Sequence, residues 1–273
     1  MELKILGSGG AMPTPRAFCQ CDVCKNARKG LKYYKRNSSS LYIKEAKAII
    51  DAPEDITNSI NRENIKRDEI KNIFITHWHP DHAFGLRSLL ESNYDFRQKK
   101  AINVINLFIA KNVFEDLTKR YDVLAFLRDV EKVVKINFFE KSDSIKLGNV
   151  KITSVSYNGG KSEIYGYLIE ENEKKVLYAP CDSISFKNFI PETYELDLLI
   201  NECGLFSYRT IKSEISFPDL MKRIKELKPK KTVLTHIEEV ELQKWGWDYM
   251  DKMKKKYSDV DFEFGYDGMI IKI

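Results

Sequence analysis

Residues 76–82 read Thr-His-Trp-His-Pro-Asp-His and follow directly on the apolar run 73–75. Four metal-ligating side chains, His77, His79, Asp81 and His82, therefore fall within six positions. His77 and His79 are two residues apart, so extended backbone points both to one side. Pro80 then forces a turn that presents Asp81 and His82 from another direction. One short loop can thus feed two adjacent metal positions. The chain has 4 histidines and three of them sit in this heptapeptide, which makes chance clustering an implausible account. A divalent cation among imidazoles and carboxylates lowers the pKa of a bound water to about 7 and polarises the bond under attack. The chemistry expected is hydrolysis by activated hydroxide, with a carboxylate to orient the water or take its proton.

A second cluster is made of sulfur. Cys19-Gln20-Cys21-Asp22-Val23-Cys24 offers three thiolates on one loop, enough for three corners of a tetrahedral zinc. The chain has 5 cysteines, and this crowding reads as metal binding rather than as a disulfide frame. The expected role is a structural Zn²⁺. Cys181 and Cys203 carry no comparable pattern, and in extended backbone Cys181 faces away from its neighbour Asp182. Asp182 and His236 are good ligand types near the ends of strand-like runs, where loops gather into sites. Taken alone, each would be an ordinary turn aspartate or a structural histidine.

The elements that must position these residues are legible as runs rich in β-branched residues at 3–6, 40–43, 48–50, 73–76, 104–109 and 134–139. They continue at 150–155, 165–169, 176–179, 196–200, 232–235 and 269–273. Helical patterns are expected at 83–90, 111–127, 217–227 and 241–255, the third started by Ser216 with Pro218 and Asp219. Strands in both halves, each with helices, suit a layered α/β sandwich better than regular βαβ alternation. With 273 residues, 43% of them apolar, and no Pro/Gly/Ser-rich linker, one globular domain over residues 1–273 is expected. The most apolar stretch, 102–110, contains Asn103 and Asn106 and is too short to span a bilayer. Residues 1–10 run into a strand-like segment and a glycine turn rather than a signal-like pattern, and a cytoplasmic location is expected. The formal charge of +5 comes from lysines scattered among acids, a weak pointer to nucleic acid.

The motif at 76–82 resembles the His-x-His-x-Asp-His signature of the metallo-β-lactamase superfamily. The turn Gly7-Ser8-Gly9-Gly10, Asp51, Cys181-Asp182-Ser183, Leu234-Thr235-His236 and Tyr266-Asp267-Gly268-Met269 match that family's other landmarks in its order. The resemblance implies a four-layer αββα sandwich and one or two active-site divalent metals, Zn²⁺ or Mn²⁺ with Fe as a further candidate. It also implies Asp182 as a carboxylate shared by two metals and His236 as the last histidine ligand. Cys-x-Cys-x-x-Cys after the first glycine turn is similar to a narrower branch: the phosphoribosyl cyclic phosphate phosphodiesterases and pyrroloquinoline quinone biosynthesis proteins. In the phosphodiesterases a histidine three residues past the last catalytic one completes the structural zinc. Glu239 stands there in this sequence, which leaves that corner among Glu239, Glu238 and water.

The function so implied is phosphodiesterase activity on a small or cyclic phosphodiester, with Asp81 and Asp182 as the working carboxylates. Lys161 and Arg16 are cations available for phosphate, and family resemblance suggests a homodimer. The competing readings are an RNA-processing nuclease of the same superfamily and a non-catalytic binding protein of cofactor biosynthesis. One departure stands out. The superfamily's full two-metal site uses five histidines, whereas the expected position of one, between residues 155 and 165, offers Tyr157-Asn158-Gly159-Gly160, with Asn158 the nearest oxygen donor and water the other substitute. The first metal position, with His77, His79 and Asp182, is therefore expected to bind more weakly than the second, with Asp81, His82, Asp182 and His236.

Overall fold

The computed structural model describes residues 1–31, 33–122, 124–158, 163–181, 183, 195–206 and 214–273, with the side chain of residue 158 outside that set. Asp182 and Lys161 thus lie outside the described residues. The first half of the chain supplies β1 (Glu2–Gly7), β2 (Ser40–Ile43), β3 (Ala48–Ile50), β4 (Asn72–Phe74), a short hairpin of β5 (Tyr94–Asp95) and β6 (Lys100–Ala101), β7 (Ile105–Ala110) and β8 (Val134–Phe139). The second supplies β9 (Ser144–Leu147), β10 (Val150–Asn158), β11 (Glu163–Glu171), β12 (Lys174–Ala179), β13 (Leu198–Glu202), β14 (Lys231–Thr235), β15 (Phe262–Phe264) and β16 (Ile270–Lys272). Two seven-stranded sheets result, ordered β16-β1-β2-β3-β4-β7-β8 and β15-β14-β13-β12-β11-β10-β9. Each is antiparallel towards one end and parallel towards the other, β3-β4-β7-β8 in the first and β12-β13-β14-β15 in the second.

The period-two alternation of strands divides the second sheet between two cores. Tyr165, Tyr167 and Ile169 of β11, Val176 and Tyr178 of β12, and Val233 of β14 join the core shared with the first sheet. Their neighbours Ile164, Leu168, Leu177, Ala179 and Leu234 pack on the other face. β11 and β12 are joined by Asn172 and Glu173, both at positive φ, as a two-residue hairpin of right-handed twist requires.

Helices flank both sheets, as the αββα expectation requires. Near the first sheet are α2 (Ile56–Glu63), α3 (Pro80–Ala83), α4 (Leu86–Glu91), α5 (Lys111–Arg120) and α6 (Leu124–Asp129), whereas α1 (Asp22–Arg28) sends Val23 into the core on the other face of the second. Against the second lie α7 (Phe217–Leu227), α8 (Glu239–Trp245) and α9 (Trp247–Lys256). The helix expected at 217–227 is α7, with the Ser216 side chain accepting from the Asp219 N–H. The pattern at 111–127 is two helices, because Tyr121 leaves helical geometry at φ −152°. That at 241–255 is likewise split, by Gly246 at φ +68°, and its first helix begins two residues early. Helices α1 and α2 were not foreseen. Both are short, and α1 owes its start to a cysteine: the Cys21 side chain accepts from the Cys24 N–H.

Candidate metal centres

The histidine loop leaves the end of β4, a central strand of the first sheet, and its path is fixed from two sides. From below, Asp51 at the end of β3 accepts the Thr76 N–H at 2.8 Å and the Thr76 hydroxyl at 2.9 Å. From the opposite sheet, Tyr165 donates its N–H to the Thr76 carbonyl at 3.1 Å, and the Tyr167 hydroxyl donates to the Ile75 carbonyl at 2.7 Å. Alternation then works as expected. His77 and His79 approach each other, with Nε2 and Nδ1 2.9 Å apart, while the Trp78 ring lies under the Arg120 guanidinium at 4.0 Å. Pro80 opens α3 at its first position, where proline is tolerated, and this helix turn carries Asp81 and His82.

His82 is wholly buried, and its Nδ1 lies 2.7 Å from Asp51 Oδ2. The same aspartate therefore ties the strand end, the loop and the imidazole together, and it directs His82 Nε2 towards the site. His236 arrives from the other sheet, at φ +53° just beyond β14. Its loop is held by Ile237, which donates to the Ser8 carbonyl and accepts from the Gly10 N–H. Gly10 leaves room there for the Glu238 carboxylate, which a Cβ would meet at 2.0 Å and displace. Ser8 is itself pinned by Asp267, which accepts both its N–H and its hydroxyl at 2.9 and 2.8 Å. The terminal landmarks read in the sequence thus brace the His236 loop.

Five of the expected ligands converge. The His77 and His82 ring centroids are 4.2 Å apart, and the His82 and His236 rings stack at 5.7 Å. His82 Nε2 and His236 Nε2 lie 3.2 and 3.6 Å from Asp81 Oδ2, and yet neither nitrogen has a hydrogen-bond partner. The charges are equally unsettled. Burial and the neighbouring His82 and His79 hold His77 well below the usual imidazole range. Burial opposes charge on His236 too, but Asp81 and Glu238 outweigh it and push it up to about 10. His82 is raised in the same way by Asp81 and Asp51. Asp81, despite its burial, is held far below the carboxylate range by His82 and His236. One carboxylate facing several buried imidazoles whose nitrogens lack donors or acceptors is a donor set that fits a cation.

The sulfur cluster is equally well assembled. Glu239 at the start of α8 is buried, with Oε1 at 3.4 Å from Cys19 Sγ, 2.8 Å from Cys21 Sγ and 3.6 Å from Cys24 Sγ. Of the alternatives left open for the fourth corner, Glu239 is the carboxylate that reaches all three sulfurs. Glu238 turns away and accepts the Ala11 N–H at 2.8 Å. Burial pushes the Cys21 thiol up to about 12, with the Glu239 hydrogen bond adding to it, and burial also raises Cys24. Cys21 and Cys24, crowded with a third sulfur on a carboxylate, resist ionising without a cation, and a cation would relieve them. Arg16, read as a phosphate contact, is exposed on the loop before this cluster.

One functional candidate was missed. Cys181 is buried, and its Sγ lies within 4.8 Å of ligand nitrogens of His77 and His79 and, as a second group, of His82 and His236. The expectation that it faces away from Asp182 assumed extended backbone; Asp182 lies outside the described residues, and β12 ends at Ala179, where Pro180 interrupts the alternation. That proline was the available signal. The Tyr157 hydroxyl donates to the Cys181 carbonyl at 2.9 Å, and the Ser183 N–H donates to the Glu202 carboxylate, so the backbone here is anchored on both sides.

Comparison with known proteins agrees with this architecture. The model of the beta-lactamase superfamily domain matches residues 48–237. The zinc-bound PqqB of Methylobacterium extorquens superposes with a TM-score of 0.77 over 100% of both chains at 16% identity. A diphosphatase of the PhnP family superposes with a TM-score of 0.75 over 100% of this chain and 97% of its own, at 21% identity. A ribonuclease Z of Prochlorococcus marinus (strain MIT 9301) is 29% identical over 159 residues, 55% of this chain and 49% of that protein. The chain spans about half the length of the curated relatives it matches first.

Proposed function

The chain belongs to the beta-lactamase superfamily, with the metallo-β-lactamase fold, and from that premise we propose that it is a metal-dependent phosphodiesterase acting on a small or cyclic phosphodiester. The observation that carries this reading is the convergence of Asp81, His82 and His236 across two sheets, with ring nitrogens lacking hydrogen-bond partners and facing one carboxylate. A divalent cation bound there supplies Lewis acidity towards a phosphoryl oxygen and a lowered pKa for water. His77 and His79 hold it on one side, and Asp81, His82 and His236 on the other. Asp182 is the further carboxylate, and Asp81 or Asp182 orients the attacking water and accepts its proton. Asp51 keeps the His82 ring oriented by accepting at Nδ1. The pocket of Cys19, Cys21, Cys24 and Glu239 holds a structural zinc that secures the loop leading from His236 into α8.

The likeness to PqqB and to the PhnP-family diphosphatase over nearly the whole chain supports the small-substrate reading. A second reading, an RNA-processing nuclease, is favoured by the curated relatives named ribonuclease Z. Metal-loaded protein offered bis-p-nitrophenyl phosphate, cyclic nucleotides and a structured RNA separates the two. Turnover of the small esters with intact RNA is expected. Cleavage of the RNA alone moves the assignment to the nuclease, and no turnover on any substrate despite full metal loading removes the phosphodiesterase.

A further inference from the structure

We infer that Cys181 is itself a ligand of the active-site metal, its thiolate taking the corner for which this chain has no histidine. The inference rests on the metal reading of the histidine cluster and adds a soft donor to it. Four histidines are present, and all four are already engaged in the cluster. A single sulfur lies within 4.8 Å of ligand nitrogens of both histidine pairs, His77 with His79 and His82 with His236. Ligand atoms around a four-coordinate zinc with bond lengths near 2.0–2.3 Å stand roughly 3.4–3.8 Å apart, so small side-chain rotations suffice to close either group on one ion.

The position is built. Cys181 is 5% exposed, and Tyr157 fixes its carbonyl. On its far side Ser183 is held by Glu202 through its N–H, and by Asn201 and Arg223, each 3.0 Å from its hydroxyl. When the cation enters, the S–H bond breaks, its proton passes to solvent, and the sulfur lone pair forms the bond to the metal.

The consequence concerns metal choice. Thiolate favours zinc, cobalt and cadmium, whereas a site of imidazole and carboxylate alone also suits manganese. With Cys181 in place, the position of His77 and His79 regains a full donor set and prefers thiophilic ions.

Cobalt tests this without reference to turnover. Protein stripped of active-site metal is titrated with Co²⁺ as wild type, Cys181→Ser and Cys181→His, with folding followed by circular dichroism. Any signal from the Cys19, Cys21 and Cys24 pocket is common to all three and cancels in the difference. The expected result is a sulfur-to-cobalt charge-transfer band in the near ultraviolet that C181S lacks. Cadmium affinity should fall on the order of 100-fold in C181S while manganese affinity changes little, and C181H should recover binding without the band. Equal charge-transfer bands in wild type and C181S, or equal loss of cadmium and manganese, would overturn the inference. Cobalt that never reaches the histidines of the wild type would overturn it together with the proposed function. A Cys181-dependent band in a protein that hydrolyses no phosphodiester would uphold the ligand and remove the phosphodiesterase alone.

Discussion

The sulfur pocket and the histidine pocket are built from opposite ingredients. Cys19, Cys21 and Cys24 come from one short stretch, two of them tied by a local helix cap, and need from the rest of the fold only Glu239. His77, His79, Asp81 and His82 follow a strand of the first sheet, His236 follows a strand of the second, and Cys181 follows another. The first pocket joins the start of α1 to the start of α8. The second draws its geometry from two sheets and remains incomplete in charge until a cation arrives. A structural role suits the local pocket, because its metal contributes folding free energy, whereas a strained, multi-element pocket suits chemistry. Only Ile237 and Glu238 separate His236 from Glu239 along the chain, so loss of the first is expected to loosen the second, with little influence in reverse.

The largest expected effect comes from breaking the second pocket. His82→Ala or His236→Ala should reduce phosphodiester hydrolysis on the order of 1000-fold or more while leaving the melting temperature near wild type, measured by steady-state assay and thermal unfolding. Asp182→Ala should behave alike, and near wild-type activity in that variant would end its assignment as the shared carboxylate. Breaking the first pocket should act in the other currency. Cys21→Ser should remove about one zinc per chain and lower the melting temperature by roughly 5 °C or more, with activity falling only as the His236 loop loosens. Unchanged metal content would contradict the structural-zinc reading.

Smaller effects sharpen the contrast. Asp51→Asn places an amide donor against His82 Nδ1, and metal affinity at the histidine pocket should weaken about 10–100-fold with the sulfur pocket untouched. Chelator competition against a fluorescent zinc probe reads both. Asp55 serves as a control in neither pocket. Its carboxyl is raised to about 6, mainly by burial and also by Asp267, with the Ser38 N–H and Arg62 opposing. A raised carboxyl pKa means stability present below the unfolded value of 3.8 and lost as pH rises through about 6. Asp55→Asn should therefore gain on the wild type across that window, by on the order of 2 kcal/mol at neutral pH, without change in metal content. Denaturant unfolding at pH 4.5 and 7 would show it.

How far the sequence carried this picture follows the same division. Both clusters announce themselves where ligands are close along the chain, and the strand alternation that orients His77 and His79 is local physics. Asp51 was visible only as a landmark, since its hold on Thr76 and His82 joins residues far apart in the chain. Glu239 was one of three choices until the fold brought α8 against the cysteine loop. Cys181 carries no ligand spacing of its own along the chain, and it lies beyond Pro180 and the end of β12, where period-two reasoning stops. The helices at 111–127 and 241–255 were expected whole, since side-chain periodicity runs on through Tyr121 and Gly246 although the backbone does not.

The most direct test of two metal centres with divided labour is the metal content of wild type, Cys21→Ser and His82→Ala after identical chelator dialysis, measured by elemental mass spectrometry. The account predicts that the wild type and His82→Ala both keep one zinc that dialysis does not remove, and that Cys21→Ser loses it. The same resistant zinc in Cys21→Ser, or its loss from His82→Ala, would contradict the account.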